Sequence, residues 1–119
     1  MKLTTKGRYA VMAMADLASC SKERPISLTE ISLRQNISLS YLEQLFLKLK
    51  TKNLVKSVRG SNGGYILVKP ASEINIYNII YAVDENIKTL PLYAAEELKK
   101  VNFFKSLMMS LNYLIWGDV

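Results

Sequence analysis

One cysteine and no histidine occur in 119 residues, and that shortage excludes several chemistries. A single thiol, Cys20, cannot close a disulfide within one chain. Without imidazole or a second thiol there is no zinc-ligand set. Without histidine the usual base of a nucleophilic triad is missing. Carboxylates remain, but no pair of them stands out for acid–base work. No catalytic residue and no metal ligand is assigned, and the chain is not expected to be an enzyme.

Long apolar runs are missing too. No stretch reaches the roughly 18 apolar residues of a membrane span. The run from Tyr9 to Ala15 is about seven residues long and ends at Asp16. With its basic flank and the small residues before Cys20, it superficially resembles a lipoprotein signal. The run lies at the short end for such a signal. Leu3, Tyr9 or Ala10, Ala13 or Met14 and Leu17 recur at helical spacing instead. Cleavage before Cys20 would also remove a helix that a small core needs. The chain is therefore read as cytoplasmic, with no membrane partner. It has no internal repeat and no low-complexity tract.

What the chain does have is positive charge, unevenly spread. Its net charge is +6. Residues 1–70 hold 12 Lys and Arg against 4 Asp and Glu, whereas residues 71–119 hold 4 against 6. A basic half suits a polyanion such as double-stranded DNA, although a merely solvated basic surface has the same composition.

The order of elements sharpens that reading. A helix is expected from about Thr5 to Ser19, stopped by the polar residues 21–24 and Pro25. Ser27 and Glu30 form a capping-box pattern that opens a second helix, with Leu28 and Ile31 facing inward and an end near Gln35. After a turn at residues 36–39, Ser38 is a good N-cap for a third helix. Leu42, Leu45, Phe46 and Leu49 make its buried stripe. Leu54–Val58 and Tyr65–Val68 read as strands of a hairpin. Between them Asn62-Gly63 is a favoured turn pair, because both positions tolerate positive φ. Gly60 and Gly64 would let the backbone approach another surface closely. A helix from about Tyr77 to Val83 follows, burying Ile76, Ile79, Ile80 and Val83.

The fold class is thus mainly α with a small β-hairpin wing: a winged helix-turn-helix plus a long C-terminal dimerisation helix. Residues 1–84 form the DNA-binding domain, and residues 85–119 the linker and dimerisation helix. That last helix is expected over about Leu92–Trp116, or about 37 Å at the usual rise. Its apolar positions Leu98, Val101, Phe104, Leu107, Met108, Leu111, Leu114 and Ile115 form a face too broad to leave in water. Leu98, Val101, Phe104, Met108, Leu111 and Ile115 are the dimerisation residues if the face meets a second copy. The alternative is that the helix folds back on its own domain.

In a helix-turn-helix the first turns of the recognition helix meet base edges. Ser38, Ser40, Tyr41, Glu43, Gln44 and Lys48 lie off the buried stripe there. Gln44 can pair with adenine, and Ser40 can bond many bases. Glu43 either accepts from a cytosine amino group or is a solvated helix residue. Arg59, at the wing tip, suits the narrow minor groove of A·T-rich DNA. Gly60, Ser61, Asn62 and Gly63 complete the tip. Lys48, Lys50, Lys52 and Lys56 are phosphate-contact candidates, and Arg8 and Tyr9 on the first helix can also reach the DNA backbone.

The segments KGRYA at residues 6–10, SLSYLEQLF at 38–46 and VRGSNGGYIL at 58–67 together resemble the Rrf2 family of winged helix-turn-helix regulators, and within it the iron–sulfur cluster regulators. INIYNIIYAVDE resembles the family helix after the wing, so the likeness covers about residues 1–86. It implies a homodimer on a palindromic operator and transcriptional control, here expected as repression. It places DNA contact on Ser38, Ser40, Tyr41, Glu43, Gln44, Arg59 and the glycine loop. Sensor members of the family carry three cysteines before the dimer helix, often with a nearby histidine. Residues 85–100 here read ENIKTLPLYAAEELKK, with neither. Thiolates are the normal ligands of such clusters. No iron–sulfur cluster held in the family manner is expected, and Cys20 is expected to be a buried small residue rather than a redox switch.

Three accounts of regulation remain open: constitutive repression set by abundance, another ligand (a small-molecule effector) sensed through an apolar pocket near the linker, or a shortened or altered form of a sensor. Two other functions also remain, a winged-helix protein-interaction module and a nonspecific DNA binder. No motif speaks to contact with RNA polymerase.

Overall fold

Small and apolar residues at every third or fourth position make α1, Thr5–Cys20, a core helix: Ala10, Ala13, Met14 and Leu17 are fully buried along it. The computed structural model describes residues 4–20 and 24–100. Cys20, the last residue of α1, is half-buried against the core rather than fully enclosed.

Ser27 caps α2, Leu28–Gln35, in a reciprocal capping box: Glu30 N–H donates to Ser27 Oγ at 3.2 Å, and Ser27 N–H donates to Glu30 Oε2 at 3.1 Å. Arg24 also donates to both Glu30 oxygens, at 3.1 and 2.8 Å. These bonds hold the Glu30 carboxyl down at about 2, from an ordinary 4.5, the Arg24 bond contributing most. A depressed carboxyl stabilises the fold above its unfolded value and loses that contribution as pH falls through the folded one. Acid unfolding should therefore show a component between about pH 4.5 and 2. Urea titrations at stepped pH should find it weakened or absent in Glu30→Gln; an identical acid limb in the variant would show that Glu30 carries none of it.

Asn36 ends α2 in the left-handed conformation at φ 55°, and Ser38 caps α3, Leu39–Thr51, by accepting from Tyr41 N–H at 3.2 Å. Leu42, Leu45, Phe46 and Leu49 are buried, as the stripe predicts.

Strands β1, Val55–Val58, and β2, Gly64–Leu67, pair antiparallel in a register running from Val55↔Leu67 to Val58↔Gly64. The hairpin turn differs from the sequence expectation. Neither Asn62 nor Gly63 has positive φ. The register ends at Val58↔Gly64 and leaves five residues between the strands, too many for a two-residue Asn-Gly turn. Gly60 takes the left-handed conformation instead, at φ 119°, and Gly63 N–H donates to Gly60 O at 3.0 Å around Ser61 and Asn62. Gly64 does allow a close approach, but to this chain itself. A Cβ there would collide with the backbone of Ile26. Ile26 and Tyr65 exchange two backbone hydrogen bonds, at 3.0 and 2.8 Å, which join the segment before α2 to the wing.

Asn75 caps α4, Ile76–Val83, whose Ile76, Ile79, Ile80 and Val83 are buried. Residues expected as a linker are ordered into a 3₁₀ turn, Glu85–Thr89. Asp84 is buried and drives this: its Oδ1 accepts from Asn86 N–H at 3.0 Å and its Oδ2 from Thr4 Oγ1 at 2.6 Å. Ile87 joins the same core. Helix α5, Leu92–Lys99, follows, with Ala95 buried and Leu98 half-buried against this chain's own core. The other dimerisation residues, Val101, Phe104, Met108, Leu111 and Ile115, lie outside the described residues, as do Leu107 and Leu114. The fold is mainly helical with one two-stranded antiparallel wing. Among the described residues, no helix is long and apolar enough to cross a membrane.

Candidate nucleic-acid interface

The buried stripe of α3 turns its other face to solvent. Ser38, Ser40, Glu43, Gln44 and Lys48 are all exposed on it. Ser38 Oγ is engaged as the cap, so its remaining hydrogen-bonding capacity is what faces outward. Tyr41 departs from the expectation of a freely outward side chain. It is half-buried and meets Tyr9 of α1 edge-on, with ring centroids 5.6 Å apart and planes at 82°. A one-residue step around a helix is 100°, which swings Tyr41 from the Ser40 side toward α1.

That contact floors an open cleft of about 460 Å³ at the junction of α1 and α3. Tyr9, Ser38, Ser40, Tyr41 and Gln44 line it. Five candidates from two helices are thus brought to one concavity. Arg8 is exposed on α1 but does not line the cleft, and neither does Glu43.

The wing is fixed to α3 from inside. Phe46, fully buried on the inner face of α3, packs edge-on against Tyr65 of β2, with centroids 4.9 Å apart. Tyr65 is also the residue paired with Ile26. Lys56, Arg59, Gly60, Ser61 and Asn62 are exposed beyond this anchor, and Gly63 is half-buried. Among the described residues, Arg8, Lys48, Lys50, Lys56 and Arg59 make no ion pair. Their charges are therefore open to an external anion.

Two features of this face escape a reading of the sequence by polarity. Leu47 is 66 % exposed and sits amid the outward face of α3, about one helical turn beyond Glu43 and Gln44. Leu39, in the first turn, is 40 % exposed. An apolar side chain at such positions can meet a thymine methyl group. The spacing that marks the inward stripe places Leu47 outward with Glu43 and Gln44 despite its apolar character, whereas Leu39, three residues before Leu42, would be placed inward by the same spacing.

The helix pair is braced by a group the sequence showed only as an interruption. Asp16 is buried on α1. Arg34 of α2 grips it with Nη2 to Oδ1 at 2.7 Å and Nε to Oδ2 at 3.0 Å, and Gln35 Nε2 adds a bond to Oδ2 at 2.9 Å. The hydrogen bonds to Asp16 push the Arg34 guanidinium above its ordinary value. Among the described residues, no group of three or more His, Cys, Asp or Glu is placed to hold a metal ion.

Comparison with known proteins agrees with this architecture. Residues 3–106 match the Rrf2 family, described as "Iron-dependent Transcriptional regulator". The chain is 60% identical over 87 residues to the HTH-type transcriptional regulator IscR of Photorhabdus laumondii, an alignment covering 73% of this chain and 53% of that one. The chain thus spans about half the length of this relative. Among solved structures it is similar to CymR, the global cysteine regulator of B. subtilis, with 31% identity, a TM-score of 0.82 and coverage of 92% of this chain and 98% of that one. It is similar also to IscR of T. potens, with 36% identity, a TM-score of 0.78 and coverage of 92% and 88%.

Proposed function

This chain belongs to the Rrf2 family of transcriptional regulators, and on that footing we propose that it is a repressor that binds a palindromic operator in double-stranded DNA as a homodimer. One observation carries the reading. The exposed polar face of α3 and the basic wing are locked together through Phe46, Tyr65 and Ile26. A rigid pair of this kind can present a helix and a hairpin tip to one duplex without an ordering cost at each encounter. In this reading Ser40, Glu43 and Gln44 read base edges. Arg59, with the tip residues Gly60, Ser61, Asn62 and Gly63, enters a groove. Arg8, Lys48 and Lys56 hold phosphates, while Ser38 and Tyr41 shape the entry of α3.

The homodimer would use the apolar positions Val101, Phe104, Met108, Leu111 and Ile115, since Leu98 is half-buried against this chain's own core. A palindrome follows from two-fold symmetry, since each copy reads one half-site.

We also propose that this chain holds no iron–sulfur cluster, although the family is described as iron-dependent. The donor inventory supports this. Cys20 is the one thiol and there is no histidine, so even two copies supply only two thiolates. The residues present do not fit the group.

Selection of random duplex DNA by the purified protein, with an iron assay on the same sample, tests both proposals. The expected result is an enriched two-fold site from iron-free protein. Loss of all enrichment would favour a protein-interaction module. Binding with no preference over random duplex would favour a nonspecific binder. Stoichiometric iron would overturn the cluster-free reading.

A further inference from the structure

We infer that the junction of α3, the wing and α4 is a second binding site, for a small planar anion that regulates DNA binding. A cleft of about 420 Å³ opens there, within the range of small-molecule pockets. Its walls are Lys52 and Asn53 after α3, Leu54 before β1, Lys69 after β2, and Tyr77 and Tyr81 on α4.

The aromatic wall is prearranged. Tyr77 and Tyr81 are four residues apart on α4, and their rings stack with centroids 5.7 Å apart and planes 28° apart. Ammonium groups crowd these rings. Lys52 Nζ and Lys88 Nζ each lie 5.4 Å from the Tyr81 centroid, and Lys99 Nζ lies 5.0 Å from that of Tyr77. Lys99 has a carboxylate, Glu96, at 3.4 Å. Lys52 and Lys69 have none among the described residues, and no Asp or Glu lines the cleft. Cations gathered in this way repel one another until an anion joins them.

The hydrogen-bonding groups point to the same ligand. Lysine ammonium groups only donate. Asn78, also in the wall, already accepts from Asn75 N–H through its Oδ1 at 3.3 Å, so its amide nitrogen is the half left to donate. A donor-rich, cationic cleft lined by two tyrosines selects a ring carrying carboxylate or phosphate. A neutral ring would leave the lysines unsatisfied, and a bare anion would leave the tyrosines unused.

The position supplies the regulation. Asn53, at φ 59°, turns the chain from α3 into β1, and Leu54 O accepts from Val68 N–H at 3.1 Å to close the base of the hairpin. A ligand here touches the joint between recognition helix and wing. A ligand whose affinity differs between the free and the DNA-bound protein changes DNA affinity by the same factor by which DNA changes its own. This regulatory half rests on the DNA-binding reading above; the site itself does not.

Calorimetric titration of the full chain without DNA tests the site alone. The probes are adenosine monophosphate and benzoate as aromatic anions, adenosine as an uncharged ring, and inorganic phosphate as an anion without a ring. We expect saturable binding of at least one aromatic anion, with adenosine and phosphate weaker by about tenfold or more. Lys52→Gln and Lys69→Gln should each weaken that binding by about fivefold, while thermal unfolding stays unchanged. The site is overturned if neither aromatic anion saturates, or if both variants bind it as the parent does. It is overturned equally if the variants lose DNA affinity while no probe binds, since the lysines would then be phosphate contacts. The bound probe should then shift operator affinity by about fivefold or more. Binding without any such shift would overturn the regulatory half.

Discussion

Arg59→Ala is expected to weaken operator binding by about ten- to a hundredfold, equivalent to the roughly 1–3 kcal/mol of a good arginine contact to a base. Arg59 leads out of β1 into the tip, immediately before Gly60 turns the chain at φ 119°. It is exposed and has no ion pair among the described residues, so its charge and all its donors are free for DNA. The same exposure means that the fold should not notice the change, beyond about 0.5 kcal/mol. Arg59→Lys separates two roles. It keeps the charge but loses the planar fork, so it should recover phosphate attraction and not base discrimination. Fluorescence anisotropy at one fixed salt concentration, on the selected operator and on a scrambled duplex, reads both. Gln44→Ala should act on a different quantity, relaxing preference at one base position. Normal operator affinity in both Arg59→Ala and Gln44→Ala would mean that the reading surface lies elsewhere.

Arg34→Ala is expected to cost about 2–3 kcal/mol of stability, enough to lower Tm by roughly 10–20 °C in a domain of this size. The reason is asymmetric burial. Asp16 has a side chain only 3 % exposed, whereas that of Arg34 is 40 % exposed. Removing the arginine leaves a buried carboxylate with Gln35 alone. A fully buried pair would lose more, about 3–5 kcal/mol, but water reaches the guanidinium side here. Arg34→Lys should restore part of the loss, since one ammonium cannot reproduce two parallel bonds. Replacing Asp16 and Arg34 together by apolar residues of similar size should cost less than Arg34→Ala alone. Thermal and urea unfolding of these variants decides the matter. A change below about 0.5 kcal/mol for Arg34→Ala would show that Asp16 is satisfied by other means.

The helices were legible in the sequence where local chemistry decides them. Ser27 with Glu30, Ser38, and the stripe Leu42, Leu45, Phe46 and Leu49 all behave as spacing and capping rules require. The wing was legible as a hairpin but not as a turn. Asn62-Gly63 favours a two-residue connection only when strand register delivers it, and here pairing stops at Val58↔Gly64. Register is a property of what the strands pack on, and Ile26 and Phe46 set it from distant parts of the chain. Asp16 and Asp84 were invisible for a related reason. An isolated carboxylate in a sequence reads as surface, and only a partner 18 or 80 positions away makes its burial tolerable. On the candidate interface, the outward polar residues of α3 were legible from its period. The inward lean of Tyr41 needed Tyr9, while Leu47, off the buried stripe, was placed outward by the same period against its apolar character.

The bond from Thr4 Oγ1 to Asp84 Oδ2 has a consequence in time. It ties the residue just before α1 to the end of α4, and Ile80 of α4 also packs beside Gly7. During synthesis α1 is made before α2, α3 and α4, yet the surface it docks on is completed only when residue 84 has followed it. Such long sequence separations slow folding, because the loop must close before the contact rewards it. The α2–α3 unit, with its local caps, can form while α1 still waits. Among the described helices, the one made before the others is thus the one that seals the domain.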